Sequence, residues 1–127
     1  MATYAKYKVK KMSPQLLVAD IKNSIEFYKK ILNFDLDFQY EQFYAGMSQG
    51  NCSIHLKSGS SSIEERKNRN NKEDLDLVFS VDGIEDLYQE LSNKNIEILQ
   101  PLRNMPYGKE FYIADPDGYI IGFITEA

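Results

Sequence analysis

One cysteine, one histidine and no tryptophan occur among the 127 residues. A lone Cys52 closes no internal disulfide, so the fold must hold without a staple, and the usage suits a reducing compartment with the cytoplasm as the expected address. A lone His55 leaves metal chemistry short of donors, since a catalytic zinc site takes about three protein ligands and a non-haem iron triad two histidines. No apolar run approaches the roughly 20 residues that span a bilayer, and residues 1–12 lack the apolar stretch of a signal peptide, so no membrane partner is expected. Charge is also unevenly spread along the chain. Lys6, Lys8, Lys10 and Lys11 crowd residues 1–12 with no acid among them, so the net charge of −4 becomes −8 over residues 13–127. Such a body repels phosphate, which excludes nucleic acid as the expected partner and suits a cationic or neutral ligand. The basic arm reads as a solvated terminus.

What is present describes one globular domain: 43% hydrophobic and 27% charged residues, in a chain long enough to bury a core. The stretch from Ser58 through Asp74 is polar except for Ile63, which predicts a connector with no order of its own between two halves. The halves match when Val18 is laid on Val81. Leu16-Leu17-Val18 and Phe79-Ser80-Val81 each read as a strand leading into a helix. Ile21, Ile25, Tyr28 and Leu32 form one apolar stripe, and Ile84, Leu87, Tyr88 and Leu91 a second. Asp20 and Asp82 are the expected N-caps, the latter with Glu85 at capping-box spacing. The period then changes to two: Phe34, Leu36, Phe38 and Tyr40 alternate with polar residues, as does Ile96 with Ile98. Further strands are expected near Phe43–Ser48, Cys52–Lys57, Glu110–Ala114 and Tyr119–Thr125, with a turn at Asp115-Pro116-Asp117-Gly118. Each half is βαβββ, an α+β class. The domain divides into the arm 1–12, module one 13–57, linker 58–74 and module two 75–125.

The doubled unit resembles the vicinal oxygen chelate superfamily, the glyoxalase, bleomycin-resistance and extradiol-dioxygenase group. Val18-Ala19-Asp20-Ile21, Ser24-Ile25-Glu26-Phe27-Tyr28, Leu32-Asn33-Phe34 and Asp115-Pro116-Asp117-Gly118-Tyr119 carry the resemblance, over about Ser13 to Ile124. Asn33 stands where the family usually has glycine, and asparagine also tolerates a left-handed backbone. The resemblance implies a mixed sheet curled as a half-barrel around a cavity, often completed across a homodimer. In metal-dependent members four ligands meet there, and the matching positions are Ser13, His55, Asp76 and Gly122. Ser13 is a poor ligand and Gly122 has none to offer, so neither a metal nor another cofactor is expected.

Strand alternation places Ser13, Gln15, Leu17, Ser53, His55, Asp76, Val78, Ser80, Ile120 and Gly122 on the cavity side. Leu16, Val18, Cys52, Ile54, Leu56, Leu77, Phe79, Ile121 and Phe123 take the helix side, which makes Cys52 an inert buried thiol. Ile120-Ile121 leaves the last strand's register open. Phe38, Tyr40, Phe43 and Tyr44 cluster in a polar context, and Asn104-Met105-Pro106-Tyr107-Gly108 resembles the family loop whose aromatic residue walls the ligand site. The expected ligand-binding set is Gln15, Phe38, Tyr40, Tyr44, His55, Asp76, Tyr107 and Tyr112. His55 with Asp76 admits two readings, a general base oriented by a carboxylate or an ion pair that shapes the pocket. The function expected is metal-free binding of a small cationic or aromatic molecule at a dimer interface. The alternative is an enzyme of lyase, isomerase or dioxygenase type that uses His55 and Asp76 as its acid–base pair or binds metal by a non-standard set.

Overall fold

The computed structural model describes residues 6–59 and 63–126. The first five residues of the basic arm and residues 60–62 of the linker lie outside the described part. Each module contributes four strands and one principal helix. Module one runs β1 (Gln15–Val18), α1 (Ile21–Glu26), β2 (Asp35–Tyr40), β3 (Tyr44–Gln49) and β4 (Cys52–Ser58), and α1 continues as a π-helical turn, Phe27–Ile31. A short helix, α2 (Ile63–Lys67), follows. Module two runs β5 (Leu77–Ser80), α3 (Ile84–Ser92), β6 (Ile98–Met105), β7 (Gly108–Ala114) and β8 (Ile120–Glu126). The strands form two separate mixed sheets, ordered β1-β4-β3-β2 and β5-β8-β7-β6, neither closed into a barrel. In each sheet the first strand runs parallel to the last and the other pairings are antiparallel.

The apolar stripes bury as their spacing demands. Ile21, Ile25, Tyr28 and Leu32 are all buried, as are Ile84 and Leu91, and Leu87 and Tyr88 pack against the same cluster. Leu16, Val18, Ile54, Leu56, Ile121 and Phe123 complete a core continuous across both modules. Asp20 caps α1 by accepting from the Asn23 amide. Asp82 does not cap α3. Gly83 takes that position in the left-handed region, at φ 71° with no side-chain cap, so the capping box expected from Asp82 and Glu85 is not formed. Asn33 adopts the left-handed conformation, at φ 61°, that its side chain tolerates.

Two further expectations are corrected. Leu36 pairs with Met47 and Phe38 with Gly46, a register shift that places a bulge between them. One extra residue reverses the side-chain parity, so Leu36 shares the face of buried Met47 while Phe38 and Tyr40 take the opposite face. Cys52 keeps the parity of Ile54, but it opens β4 beyond the helix cover and is exposed rather than buried.

The linker is also ordered where it is described, and its arginines supply the reason. Arg66 lies 4.1 Å over the Tyr119 ring, and its Nε donates to the Asp117 carbonyl at 2.7 Å. Arg69 donates to the Gly118 carbonyl at 3.0 Å and to both oxygens of Asp76. A polar segment with little apolar surface is thus docked by cations on backbone carbonyls.

The turn that receives them also ties the modules together. The Gly118 amide donates to the Asp115 carbonyl at 3.0 Å, closing the turn begun at Pro116. Asp115 accepts from the Tyr28 hydroxyl at 2.7 Å and from the amides of Asp117 and Tyr119. Asp117 accepts from the Ala19 amide at 2.8 Å and the Ser24 hydroxyl at 3.1 Å. Tyr119 donates to the Leu17 carbonyl at 2.8 Å and accepts from the Leu17 amide. The two aspartates are 4% and 3% exposed, so these bonds are made out of water and their loss strands polar groups.

Burial pushes the Asp115 carboxyl up to about 6, against the opposing pull of its hydrogen bonds. A carboxyl raised on folding contributes stability that is complete below its unfolded value, near 4, and is lost as pH rises through about 6. Asp115→Asn removes the titration and keeps an acceptor for the two amides. Urea unfolding should therefore favour the variant over the wild type by on the order of 3 kcal/mol more at pH 7 than at pH 4. A difference independent of pH would refute the buried-carboxyl account.

Candidate functional site

Each sheet has one face against the helices and one open face, and the candidate residues fall on the open faces. On the first sheet Gln15 pairs with His55 across β1 and β4, and Gly46 pairs with His55 across β3 and β4. Phe38 lies over Gly46, where any Cβ would fall 2.2 Å from the ring, so glycine is required for the ring to rest on the sheet. The His55 ring meets Phe38 edge-on at 5.4 Å and Tyr44 at 5.5 Å. Phe38 also packs with Tyr40 at 5.7 Å. Gln15 Nε2 donates to the Tyr44 hydroxyl at 3.0 Å, and that hydroxyl lies 2.9 Å from His55 Nδ1. The bulge in β2 makes this cluster possible, because without it Phe38 would face the core. Tyr40 and Phe43 remain 61% and 53% exposed. The result is an aromatic cluster around one imidazole, with Lys57 on the same face beside Tyr44 and Leu17.

The second sheet presents charge instead. Glu110 is 2% exposed and accepts from Tyr107 at 2.5 Å, from Tyr112 at 2.8 Å and from Arg103 through Nε at 2.8 Å and Nη2 at 2.5 Å. Arg103 also donates to Glu73 at 2.9 Å and to Gln100 at 3.1 Å. Burial pushes Glu110 up, but the bonds from Tyr107, Arg103 and Tyr112 outweigh it and hold the carboxyl below its ordinary range. Burial, then the bond to Glu110, pushes the Tyr112 hydroxyl up to about 12. The network is saturated: each carboxylate and phenol in it has its partner inside the chain.

The sequence-derived residues therefore separate into groups. Gln15, Phe38, Tyr40, Tyr44 and His55 come together on the first open face, and Tyr107 and Tyr112 come together through Glu110 on the second. Asp76 joins neither. Its carboxylate is held by Arg69 at 2.7 Å and by the Ile120 amide at 2.8 Å, while His55 bonds Tyr44, so the expected meeting of His55 with Asp76 is not found within the chain. Glu110 and Arg103 on the second sheet, with Glu73 and Arg69 reaching it from the linker, bond the candidate residues and were not among those expected from the sequence. Arg103 and Glu110 stand symmetrically about Pro106-Tyr107, and hairpin register alone would have paired them. Arg69 left no local signal.

The four family ligand positions do not fit a metal. Ser13 donates to Ser53 at 2.7 Å. Asp76 is committed to Arg69. A Cβ on Gly122 would fall 2.7 Å from Leu75 Cδ1, with the Tyr112 ring also close, so the space of a fourth ligand is filled by side chains. No group of three or more His, Cys, Asp or Glu able to hold an ion occurs among the described residues.

The family model described as "Glyoxalase/Bleomycin resistance protein/Dioxygenase superfamily" matches residues 12–123. A comparison with curated proteins finds no match. Among solved structures, the bleomycin-binding protein from bleomycin-producing Streptomyces verticillus, complexed with copper(II)-bleomycin, is similar at TM-score 0.70 and 21% identity, over 95% of this chain and 99% of that one. The genomically encoded fosfomycin resistance protein from Listeria monocytogenes gives TM-score 0.74 at 14% identity, over 95% and 96% of the two chains. A putative glyoxalase family protein from Bacillus anthracis gives 0.72 at 21% identity, over 98% and 100%. At these identities the likeness is one of fold.

Because Glu110 is the shared acceptor of its network, Glu110→Leu strips partners from Tyr112 and Arg103 together. Its expected cost is about 3 kcal/mol in urea unfolding with little change in slope. Glu73→Gln, at a side chain 56% exposed, should cost far less. Equal losses would show that the buried carboxylate does not organise this face.

Proposed function

The chain belongs to the glyoxalase/bleomycin resistance protein/dioxygenase superfamily, and from that premise we propose that it is a metal-free small-molecule binding protein. Its ligand would lie on the open sheet faces, in a cavity completed by a second copy of the chain. One observation carries the reading: where metal-dependent members gather ligands, this chain has an aromatic surface around His55 and an Asp76 whose counter-charge is its own Arg69. Rings backed by a few fixed polar groups suit recognition of a planar molecule. The acidic balance of residues 13–127 favours a neutral or cationic one over an anion. Exposed Tyr40, Phe43, Leu17 and Val78 support pairing with a second copy, since each sheet leaves apolar side chains uncovered. The enzyme reading draws no support from an acid–base pair, because both Asp76 oxygens are engaged by Arg69 and Ile120.

Protein purified without chelators should carry far less than one equivalent of zinc, iron, manganese or nickel by elemental analysis. A stoichiometric metal would overturn the metal-free part. Thermal-shift screening against planar aromatic cations, neutral aromatics and bleomycin-type glycopeptides should raise the melting temperature for at least one class, with Phe38→Ala and Tyr44→Ala reducing the response. A ligand at 100 times its Kd stabilises by about 2.7 kcal/mol, several degrees for a domain of this size. A flat response to every class, with a monomer by sedimentation at all concentrations, would end the binding proposal.

A further inference from the structure

His55 is the chain's single histidine, and its hydrogen bonding is one-sided. Nδ1 lies 2.9 Å from the Tyr44 hydroxyl. Among the described residues no group bonds Nε2, which belongs to a half-buried ring on the open face. The next link favours donation from the Tyr44 hydroxyl to Nδ1. The Gln15 Nε2 amide donates to the Tyr44 oxygen at 3.0 Å, so Tyr44 accepts there and keeps its own proton to give. In a neutral imidazole one nitrogen is protonated and the other accepts, and the partner of one decides the state of the other.

We propose that Gln15 and Tyr44 are positioning residues that hold neutral His55 as the Nε2–H tautomer, so that the first open face offers a hydrogen-bond donor framed by Phe38 and Tyr44. The ligand class this selects is a planar molecule that carries an acceptor, a carbonyl oxygen or ring nitrogen, within reach of the imidazole edge. A molecule that presents only N–H donors meets a donor and leaves both groups unpaired. The same arrangement makes His55 unsuited to general-base work toward the open face, because its accepting nitrogen is covered by Tyr44. The ligand preference rests on the binding function proposed above, whereas the tautomer does not.

The test is long-range proton–nitrogen correlation on tag-free protein labelled at histidine nitrogen, recorded at alkaline pH. One histidine makes the assignment unambiguous. The wild type should show a pyridine-type Nδ1 and a pyrrole-type Nε2 from a single tautomer. Tyr44→Phe should relax these toward the averaged shifts of an exposed histidine. Gln15→Glu replaces a donor by a carboxylate that only accepts, so Tyr44 must donate to it and accept from the ring, and the pyrrole-type signal should move to Nδ1. A protonated Nδ1 in the wild type, averaged wild-type shifts equal to those of Tyr44→Phe, or an unchanged tautomer in folded Gln15→Glu would each overturn the relay. The wild-type spectrum decides the matter even where a variant does not fold. For the ligand class, isoquinoline, which only accepts, should perturb the Nε2 resonance at concentrations about tenfold lower than indole, which only donates. Equal potency refutes the acceptor preference. If neither fragment perturbs His55 while the tautomer is as stated, the relay stands and the binding function fails.

Discussion

The hydrogen bond from Tyr28 to Asp115, with both partners buried, is the centre of the contact that makes one domain of two modules. Around it, every polar side chain of Asp115-Pro116-Asp117-Gly118-Tyr119 reaches back to module one, to Ala19, Ser24, Tyr28 and both backbone groups of Leu17. Three of the four segments that carry the family resemblance in the sequence therefore meet in one clasp, with Leu32-Asn33-Phe34 outside it. Its cost is an ionised carboxyl kept out of water, which is why Asp115 titrates upward. The linker adds to the same turn from outside through Arg66 and Arg69, so its backbone carbonyls hold the linker while its side chains hold module one.

With the helix-facing sides of both sheets committed to the core, chemistry is left to the open faces, and these differ in kind. The first is mainly aromatic, with Lys57 at its side and one imidazole bonded to a hydroxyl that in turn accepts from an amide. The second is a carboxylate–guanidinium–phenol network closed on itself, strong in its internal bonds but with its main acceptor, Glu110, withdrawn from solvent. Asp76 shows how a family position changes use. An arginine from the linker supplies the positive charge that a metal supplies elsewhere, and a leucine and a tyrosine occupy the space above Gly122. On the proposed reading a ligand is recognised by ring contact and directional hydrogen bonds instead of coordination.

Periodicity made most of this architecture legible before any coordinates. The two apolar stripes, the period-two strands and the turn at Asp115 all depend on neighbours within a few residues, and they stand where the spacing put them. The exceptions share a cause. At β2 a single inserted residue moved Phe38 and Tyr40 to the face of His55, which no count of alternation reveals when polar and apolar residues continue to alternate across the bulge. At α3 a left-handed Gly83 displaced an aspartate with good capping spacing. At Cys52 the parity was right and the cover was absent, because burial depends on what lies above a strand end.

The sequence by itself determined the two βαβββ modules, their helix-facing residues and the shortage of metal donors, since composition and short-range spacing suffice for each. Only the tertiary structure decided that His55 pairs with Tyr44 while Asp76 pairs with Arg69, and that Glu110 gathers Arg103, Tyr107 and Tyr112. Partner choice of this kind is settled by topology: the clasp bonds join residues 87, 98 and 102 positions apart. Over such distances along the chain, which groups meet is decided by how the sheets stack and where a bulge falls, quantities that local patterning does not carry.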